Sequence, residues 1–314
     1  MPINIPNDLP AKARLESENI FVMTETRATT QDIRPLKIAI LNLMPTKIAT
    51  ETQLLRLLGN IPIQVDIELI GLDTHVPQNT PQEHLLAFYK PFSAIKHQKF
   101  DGFIITGAPV ELLEFEEVDY WDELCEIMDW TITNVQSTFH ICWGAQAGLY
   151  RHYGINKIPL SGKLSGVYTH TISNSCETLL RGFDDTFLSP HSRWTTLPEQ
   201  DLEKCAELEV VAKSEIAGAH IIVARNGRQV FVCGHMEYDA DTLAGEYFRD
   251  LGRNEDPAIP HNYFEDDNPE NVPKNTWRAH ASLLFSNWLN YHVYQTTPYD
   301  LSKLGLNNGE IIEI

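Results

Sequence analysis

The sequence predicts an α/β fold built on a mostly parallel sheet with helices on both faces. Two observations predict that architecture, and a third says where its chemistry lies. First, short apolar or β-branched runs recur and read as buried strands: Lys37–Leu43 (KIAILNL), Ile61–Ile70 (IPIQVDIELI), Phe100–Thr106 (FDGFIIT) and Ser137–Ile141 (STFHI). Second, stretches with helical spacing lie between them, the pattern of parallel strands joined by crossover helices. Third, Met44–Lys47, Gly107–Glu111 and Cys142 all fall at the carboxyl ends of predicted strands, where such sheets bind ligands.

Residues 1–35 carry Pro2, Pro6, Pro10 and Pro35 and are expected to form an arm with a short helix near Ala11–Glu18, packed on the body or on a second subunit. The body spans residues 36–296. Its first helix, Thr46–Leu58, shows helical spacing, with Ile48, Leu54, Leu55, Leu57 and Leu58 apolar. His84–Ala94 is expected to be helical up to a break at Pro91. Tyr120–Thr133 is a strongly amphipathic helix. Gly154–Trp194 is rich in Ser, Thr and Gly and is expected to form loops and short strands. Leu208–Lys213, His220–Ala224 and Gln229–Val232 read as closely spaced strands, with Asn226-Gly227 as a turn between the last two. A helix over Asp241–Gly252, an acidic loop over 257–273 and a long helix over Trp277–Tyr294 complete the body. The tail, 297–314, is expected to be weakly ordered.

The chain has 314 residues, enough for one large domain with additions or two small ones. A net charge of −19 argues against nucleic acid or an anionic membrane as partner. No apolar run approaches the roughly 20 residues of a membrane span, and the N-terminal segment shows no secretory signal. The five cysteines, Cys125, Cys142, Cys176, Cys205 and Cys233, are odd in number and form no CxxC, so neither a disulfide framework nor a zinc site is expected. A reducing cytosol fits this usage. No metal is expected, because the 12 histidines form no compact ligand pattern.

Cys142 sits where STFHI ends and a helix-forming stretch, WGAQAGLY, begins. A residue on such a turn is pushed out above the sheet, and the first N–H groups of the helix point at the same place. They favour a thiolate and can later hold an oxyanion, with the N–H of Trp143 as the natural donor. Gly144 would let the backbone pass close to its neighbours. Taken alone, Cys142 can equally be a buried core cysteine. His235 and Glu237 follow the strand Gln229–Val232. Two apart on an extended segment, they point to the same side, so the carboxylate can fix the imidazole tautomer while the other nitrogen faces Cys142. A surface pair at a strand end is the alternative. Lys47, past the first strand, is a second oxyanion candidate, or else a solvated lysine at a helix start.

HICWGAQ resembles the elbow of class I glutamine amidotransferases, and His235-Met236-Glu237 resembles their His-Pro-Glu. The closer similarity is to the homoserine O-acyltransferase family of methionine biosynthesis, carried by MPINIPNDLPA, LNLMPTKIATETQLLRLLGN, TGAPVE, FHICWGAQAGLY, SGKLSGVY, PHSR and GHMEYD. It runs from Met1 to about Trp288. The resemblance implies a flavodoxin-like, amidotransferase-like fold, a cytoplasmic homodimer, and acyl transfer from acyl-CoA to the γ-hydroxyl of L-homoserine through a thioester. By it, Cys142 is the nucleophile, His235 the proton acceptor and Glu237 its partner. Lys163, Ser192 and Arg249 match substrate-binding positions, with Arg193 a weaker candidate. No cofactor is implied; acyl-CoA is a co-substrate. Glu111 matches the position that selects the donor, Gly in succinyl-type and Glu in acetyl-type members, so acetyl-CoA is expected and succinyl-CoA is the alternative. A Cys-dependent amidotransferase or hydrolase is the more distant one.

Overall fold

The computed structural model describes residues 3–5, 22–24, 34–59, 61–75, 77, 79–174, 177–304, 306–307 and 310–311. The helix expected near Ala11–Glu18 and the side chain of Cys176 lie outside them. Ten strands form one sheet: β3 (Leu36–Leu41), β4 (Val65–Gly71), β5 (Tyr89–Pro91), β6 (Phe100–Ile105), β7 (Val135–Ile141), β8 (Ile158–Ile172), β9 (Thr186–Thr196), β10 (Leu208–Ser214), β11 (Gly218–Ala224) and β12 (Gln229–Val232). Two short pairs stand apart, β1 (Ile3–Ile5) with β2 (Val22–Thr24) and β13 (Leu306–Asn307) with β14 (Glu310–Ile311). The order in the large sheet is β5-β4-β3-β6-β7-β12-β11-β10-β8-β9. From β5 to β12 every neighbour is parallel; from β12 to β9 every neighbour is antiparallel.

The parallel half follows from its sequence. β3 and β6 are almost wholly buried, so they read as continuous apolar runs rather than alternating ones. The helix Trp121–Asn134 buries Leu124, Ile127, Met128 and Ile132 at helical spacing, and Asp122 and Glu123 sit in its first turn where the helix dipole favours them. On the opposite face, Trp288 is fully buried against Phe139 of β7, with ring centroids 5.2 Å apart, and its Nε1 donates to Ser137 Oγ at 2.9 Å. Gly102 of β6 is needed there, since a Cβ would stand 3.0 Å from that indole.

Four expectations change. The second strand starts at Val65, after a bent Ile61–Ile63. The helix expected over His84–Ala94 does break by Pro91, but as two helices, Gln82–Phe88 and Phe92–Ile95, separated by β5, which ends at Pro91. Gly154–Trp194 is not a loop region: β8 and β9 are 15 and 11 residues long and pair from Thr171↔Thr186 to Ile158↔Thr196, with an irregularity between Pro159 and Leu164. The tail is tied down as far as Leu304, which is buried. Arg34 Nε donates to Tyr299 O at 3.0 Å, while its guanidinium grips the buried Asp101 carboxylate at 2.7 and 2.8 Å. The long helix near the C-terminus runs as Arg278–Asn287 and continues as a π-helix over Trp288–Tyr294. Among the described residues, no helix is long and apolar enough to cross a membrane.

Candidate active site

Cys142 follows the last residue of β7 and caps the helix Trp143–Tyr153 with φ 51° and ψ −116°, a strained conformation for a residue with a Cβ. Neighbouring strands hold it there. Its N–H donates to Val232 O of β12 at 2.7 Å, and a Cβ on Gly144 would lie 2.5 Å from Thr106 O at the end of β6. Only glycine lets the helix start that close to the adjacent strand. Gly107 does the same on the thiol side, where a Cβ would approach Cys142 Cβ to 3.3 Å and His235 Cε1 to 3.6 Å. As first residue of its helix, Trp143 has no intrahelical acceptor for its N–H, which is free to serve an oxyanion beside the thiol.

His235 and Glu237 are both buried, and His235 Nδ1 donates to Glu237 Oε1 at 2.6 Å. A carboxylate only accepts, so this bond puts the proton on Nδ1 and leaves Nε2 for the thiol. The segment is a tight turn rather than an extended strand: Tyr238 N–H donates to His235 O at 3.2 Å. The same-side placement expected from period-2 spacing is thus reached by a different local route. His235 N–H is fixed on Pro190 O at 2.8 Å, and the Tyr238 ring stacks on the imidazole with centroids 4.1 Å apart. Burial alone would lower the His235 pKa. The charges of Cys142 and Glu237, with hydrogen bonds to both, outweigh burial and hold the imidazole well above its ordinary value.

Cys142, His235 and Tyr238 open on a cavity of about 600 Å³. Met44–Thr46, Gly107–Leu113 and Cys142 all line it, so the three strand ends converge as expected. Lys163, Ser192 and Arg249, far apart in sequence, line the same cavity. Two carboxylates of the helix Thr242–Gly252 gather them. Lys163 Nζ donates to Glu246 Oε2 at 3.4 Å and to Asp250 Oδ2 at 2.9 Å; Ser192 Oγ donates to Glu246; Arg249 Nε donates to Asp250 Oδ1 at 2.8 Å. Tyr238 OH reaches Glu246 Oε1 at 2.9 Å. Burial tends to raise the Asp250 pKa, but Lys163 and Arg249 outweigh it and hold the carboxyl below its ordinary value. Sequence reasoning missed Glu246, Asp250 and Tyr238. The available signal was an acidic i, i+4 pair flanking Arg249 on a predicted helix.

Glu111 also lines the cavity, and its Oε1 accepts the Trp194 N–H at 3.3 Å. Burial pushes its carboxyl up, while backbone N–H groups, His235 and Lys163 pull it partly back. Lys47 takes a different position from the one expected. It is buried, its ammonium donates to Asn42 O, and the cavity lining uses Thr46 and Thr50 and passes over it. Burial lowers its pKa to about 8, against the attraction of Glu51. Acting on an oxyanion would require Lys47 to leave the Asn42 carbonyl. Arg193 is sealed off from the cavity. Next to Ser192 on β9, it points to the opposite face, where its guanidinium donates to Thr195 O, Ala217 O and, at 3.4 Å, His191 Nδ1.

Burial drives the Cys233 thiol up to about 12 and that of Cys125 to about 11. Three buried imidazoles, His170, His191 and His220, come together from β8, β9 and β11 with ring nitrogens within 4.8 Å of one another. Sequence spacing gave no hint of this group. Arg193 donates to His191 Nδ1, which leaves the proton on Nε2, 3.0 Å from His170 Nε2. A metal on His191 would have to displace that proton beside a buried guanidinium. Burial keeps His170 down to about 3 and the other two well below the ordinary value, so the three rings pack as neutral groups.

A family model described as "Homoserine O-succinyltransferase" matches residues 2–299. A homoserine O-acetyltransferase of Acetivibrio thermocellus is 62% identical over 97% of this chain and 100% of its own length. Homoserine O-acetyltransferases of Shouchella clausii and Clostridium acetobutylicum are 60% and 58% identical over 96% of this chain, covering 97% and 100% of their own lengths. Among solved structures, a glutamine amidotransferase of Thermotoga maritima superposes with a TM-score of 0.54 at 14% identity, covering 83% of this chain and 99% of its own. One of Methylobacillus flagellatus gives 0.50 at 11%, covering 82% and 95%. Those two likenesses establish an amidotransferase-like fold and nothing about reaction. The match over nearly the whole length, together with relatives near 60% identity, shows that this chain belongs to the homoserine O-acyltransferase family.

Proposed function

We propose that the protein transfers the acetyl group of acetyl-CoA to the γ-hydroxyl of L-homoserine, giving O-acetyl-L-homoserine and CoA. The Cys142 thiolate attacks the thioester carbon, and the oxyanion takes the N–H of Trp143. Collapse breaks the carbon–sulfur bond to CoA, which leaves with the proton of His235. The two thioesters are close in energy, so this exchange is nearly balanced. The homoserine hydroxyl then gives its proton to His235 as its oxygen attacks the acyl-enzyme, and Cys142 leaves as the thiolate. Glu237 keeps the imidazole in the required tautomer. Lys163, Ser192 and Arg249 bind the amino acid, with Arg249 suited to a bidentate grip on its carboxylate.

The observation that carries the acetyl assignment is Glu111 on the wall of the Cys142 cavity, held by the Trp194 N–H. A succinyl group ends in a carboxylate; an acetyl group ends in a methyl. Two like charges about 4 Å apart repel by roughly 1 kcal/mol in water and about 4 kcal/mol at an effective dielectric of 20. The Glu111 side chain also fills space that a longer acyl group needs. Relatives named for acetyl transfer support the same reading. Initial rates with both donors should favour acetyl-CoA in the natural protein, and Glu111→Gly should gain succinyl transfer at the expense of acetyl transfer. Because burial raises Glu111, lowering the pH removes its charge earlier than for an exposed carboxylate. The acetyl-to-succinyl rate ratio should therefore fall as the pH drops. A natural preference for succinyl-CoA, or an unchanged preference in the variant, overturns the assignment.

We extend the proposal to a cytoplasmic homodimer. Light scattering of the purified chain should give twice the monomer mass, and a monomer at micromolar concentration would refute it.

A further inference from the structure

The cavity is chemically lopsided. Part of its wall carries Lys163, Ser192, Glu246 and Arg249, charges of both signs that suit a zwitterion. Another part of its rim is formed by Leu112, Leu113 and Trp194, which line the cavity and yet stand 70%, 43% and 36% exposed. Exposed apolar side chains scattered singly need no explanation, whereas three gathered at the mouth of one cavity mark a contact surface. The rim is fixed at two points. Lys157 Nζ donates to Leu113 O at 2.7 Å, and its ammonium lies 4.4 Å over the Phe115 ring. On the other side, the Trp194 N–H holds Glu111.

We propose that Leu112, Leu113 and Trp194 form the bearing surface for the pantetheine arm of acyl-CoA, an inference that rests on the acyl-transfer reading above. The thioester carbon has to reach Cys142, so the arm behind it leaves through the cavity mouth. That arm is a long uncharged chain of methylenes, amides and a dimethyl carbon, and its recognition calls for apolar area rather than charge. Leaving over the charged wall instead, it would desolvate the Lys163–Asp250 and Arg249–Asp250 ion pairs without replacing them. Glu111 lies next to the apolar rim and lines the cavity with Cys142. Lys157 brings a positive charge to the rim of an acidic protein, on the side where the anionic nucleotide of CoA emerges.

The test compares acetyl-CoA with S-acetyl-N-acetylcysteamine, a thioester that lacks most of the arm and all of the nucleotide. Leu112→Asp and Trp194→Ala are measured with both donors at saturating homoserine, and Leu112 is exposed enough that its replacement leaves the fold intact. Each substitution should raise KM for acetyl-CoA about tenfold, from the loss of one large apolar contact. The loss should fall mainly on the long donor, with little change in KM for homoserine. An unchanged KM for acetyl-CoA in both variants overturns the inference. So does an equal loss on both donors, which would assign these side chains to the acyl end. A loss that tracks dissociation of a dimer in light scattering would assign the rim to a second copy of the chain and equally refute it. If the natural protein turns over neither donor, it is the acyl-transfer reading that fails, and the inference falls with it.

Discussion

Cys142→Ala should release no CoA from acetyl-CoA, with or without homoserine, and should lower turnover by about 10⁴-fold or more. The size follows from what is removed. Among the described residues, the thiol is the only group placed at once on the elbow, beside the free N–H of Trp143 and against His235. Without it, the imidazole would have to activate the homoserine hydroxyl directly against the bound thioester, with no covalent step to divide the barrier. Alanine keeps a Cβ at φ 51° and ψ −116°, so the backbone strain is the same as in the natural protein and the fold should persist. Intact mass spectrometry after mixing with acetyl-CoA should show one added acetyl group in the natural protein, mapping to the peptide that holds Cys142, and none in the variant. Acylation persisting in Cys142→Ala would end the thioester mechanism.

The elbow cysteine and the parallel half of the sheet were legible in the sequence for one physical reason. Buried parallel strands are continuous apolar runs, so β3, β6 and β7 stand out, and the carboxyl end of each marks the site. The antiparallel half gives a weaker signal. β8 and β9 lie at one edge of the sheet and bury only part of each face, so Ser, Thr and Gly occupy positions that apolar residues hold elsewhere. Their Thr residues favour extended backbone through their branched Cβ, but no alternation announces a strand.

Side-chain direction was harder to read than position. Ser192 and Arg193 are neighbours, and strand geometry sends one into the cavity and the other into the core. Lys47 lies at a strand end near the site, yet the Asn42 carbonyl claims its ammonium. Glu246 and Asp250 left only the i, i+4 acidic spacing around Arg249 as a signal, because their partners, Lys163 and Ser192, come from strands more than 50 residues away. The His170, His191 and His220 group shows the same limit: three strands assemble it, and no spacing in the chain records it.

His235→Asn should lower turnover by about 10³- to 10⁴-fold, the upper part of the range for a positioned general acid–base. Asparagine keeps a polar group near Glu237 but cannot take a proton from the thiol, protonate departing CoA or accept the homoserine proton. The pH dependence separates this role from mere support. His235 is held well above its ordinary value by Cys142 and Glu237, so at neutral pH the imidazole is protonated beside the thiol. That state persists until the pH rises through the raised value. Alkylation of Cys142 by iodoacetamide should therefore vary little between about pH 6 and pH 8 in the natural protein. In His235→Asn the thiol depends on hydroxide, and the rate should climb with pH by up to about tenfold per unit. Glu237→Gln keeps the imidazole but loses the acceptor 2.6 Å from Nδ1, and should cost less, about 10²-fold. If His235→Asn instead shows full turnover at neutral pH, or the same flat alkylation profile as the natural protein, the imidazole is not the base and the catalytic group must be sought elsewhere on the cavity wall.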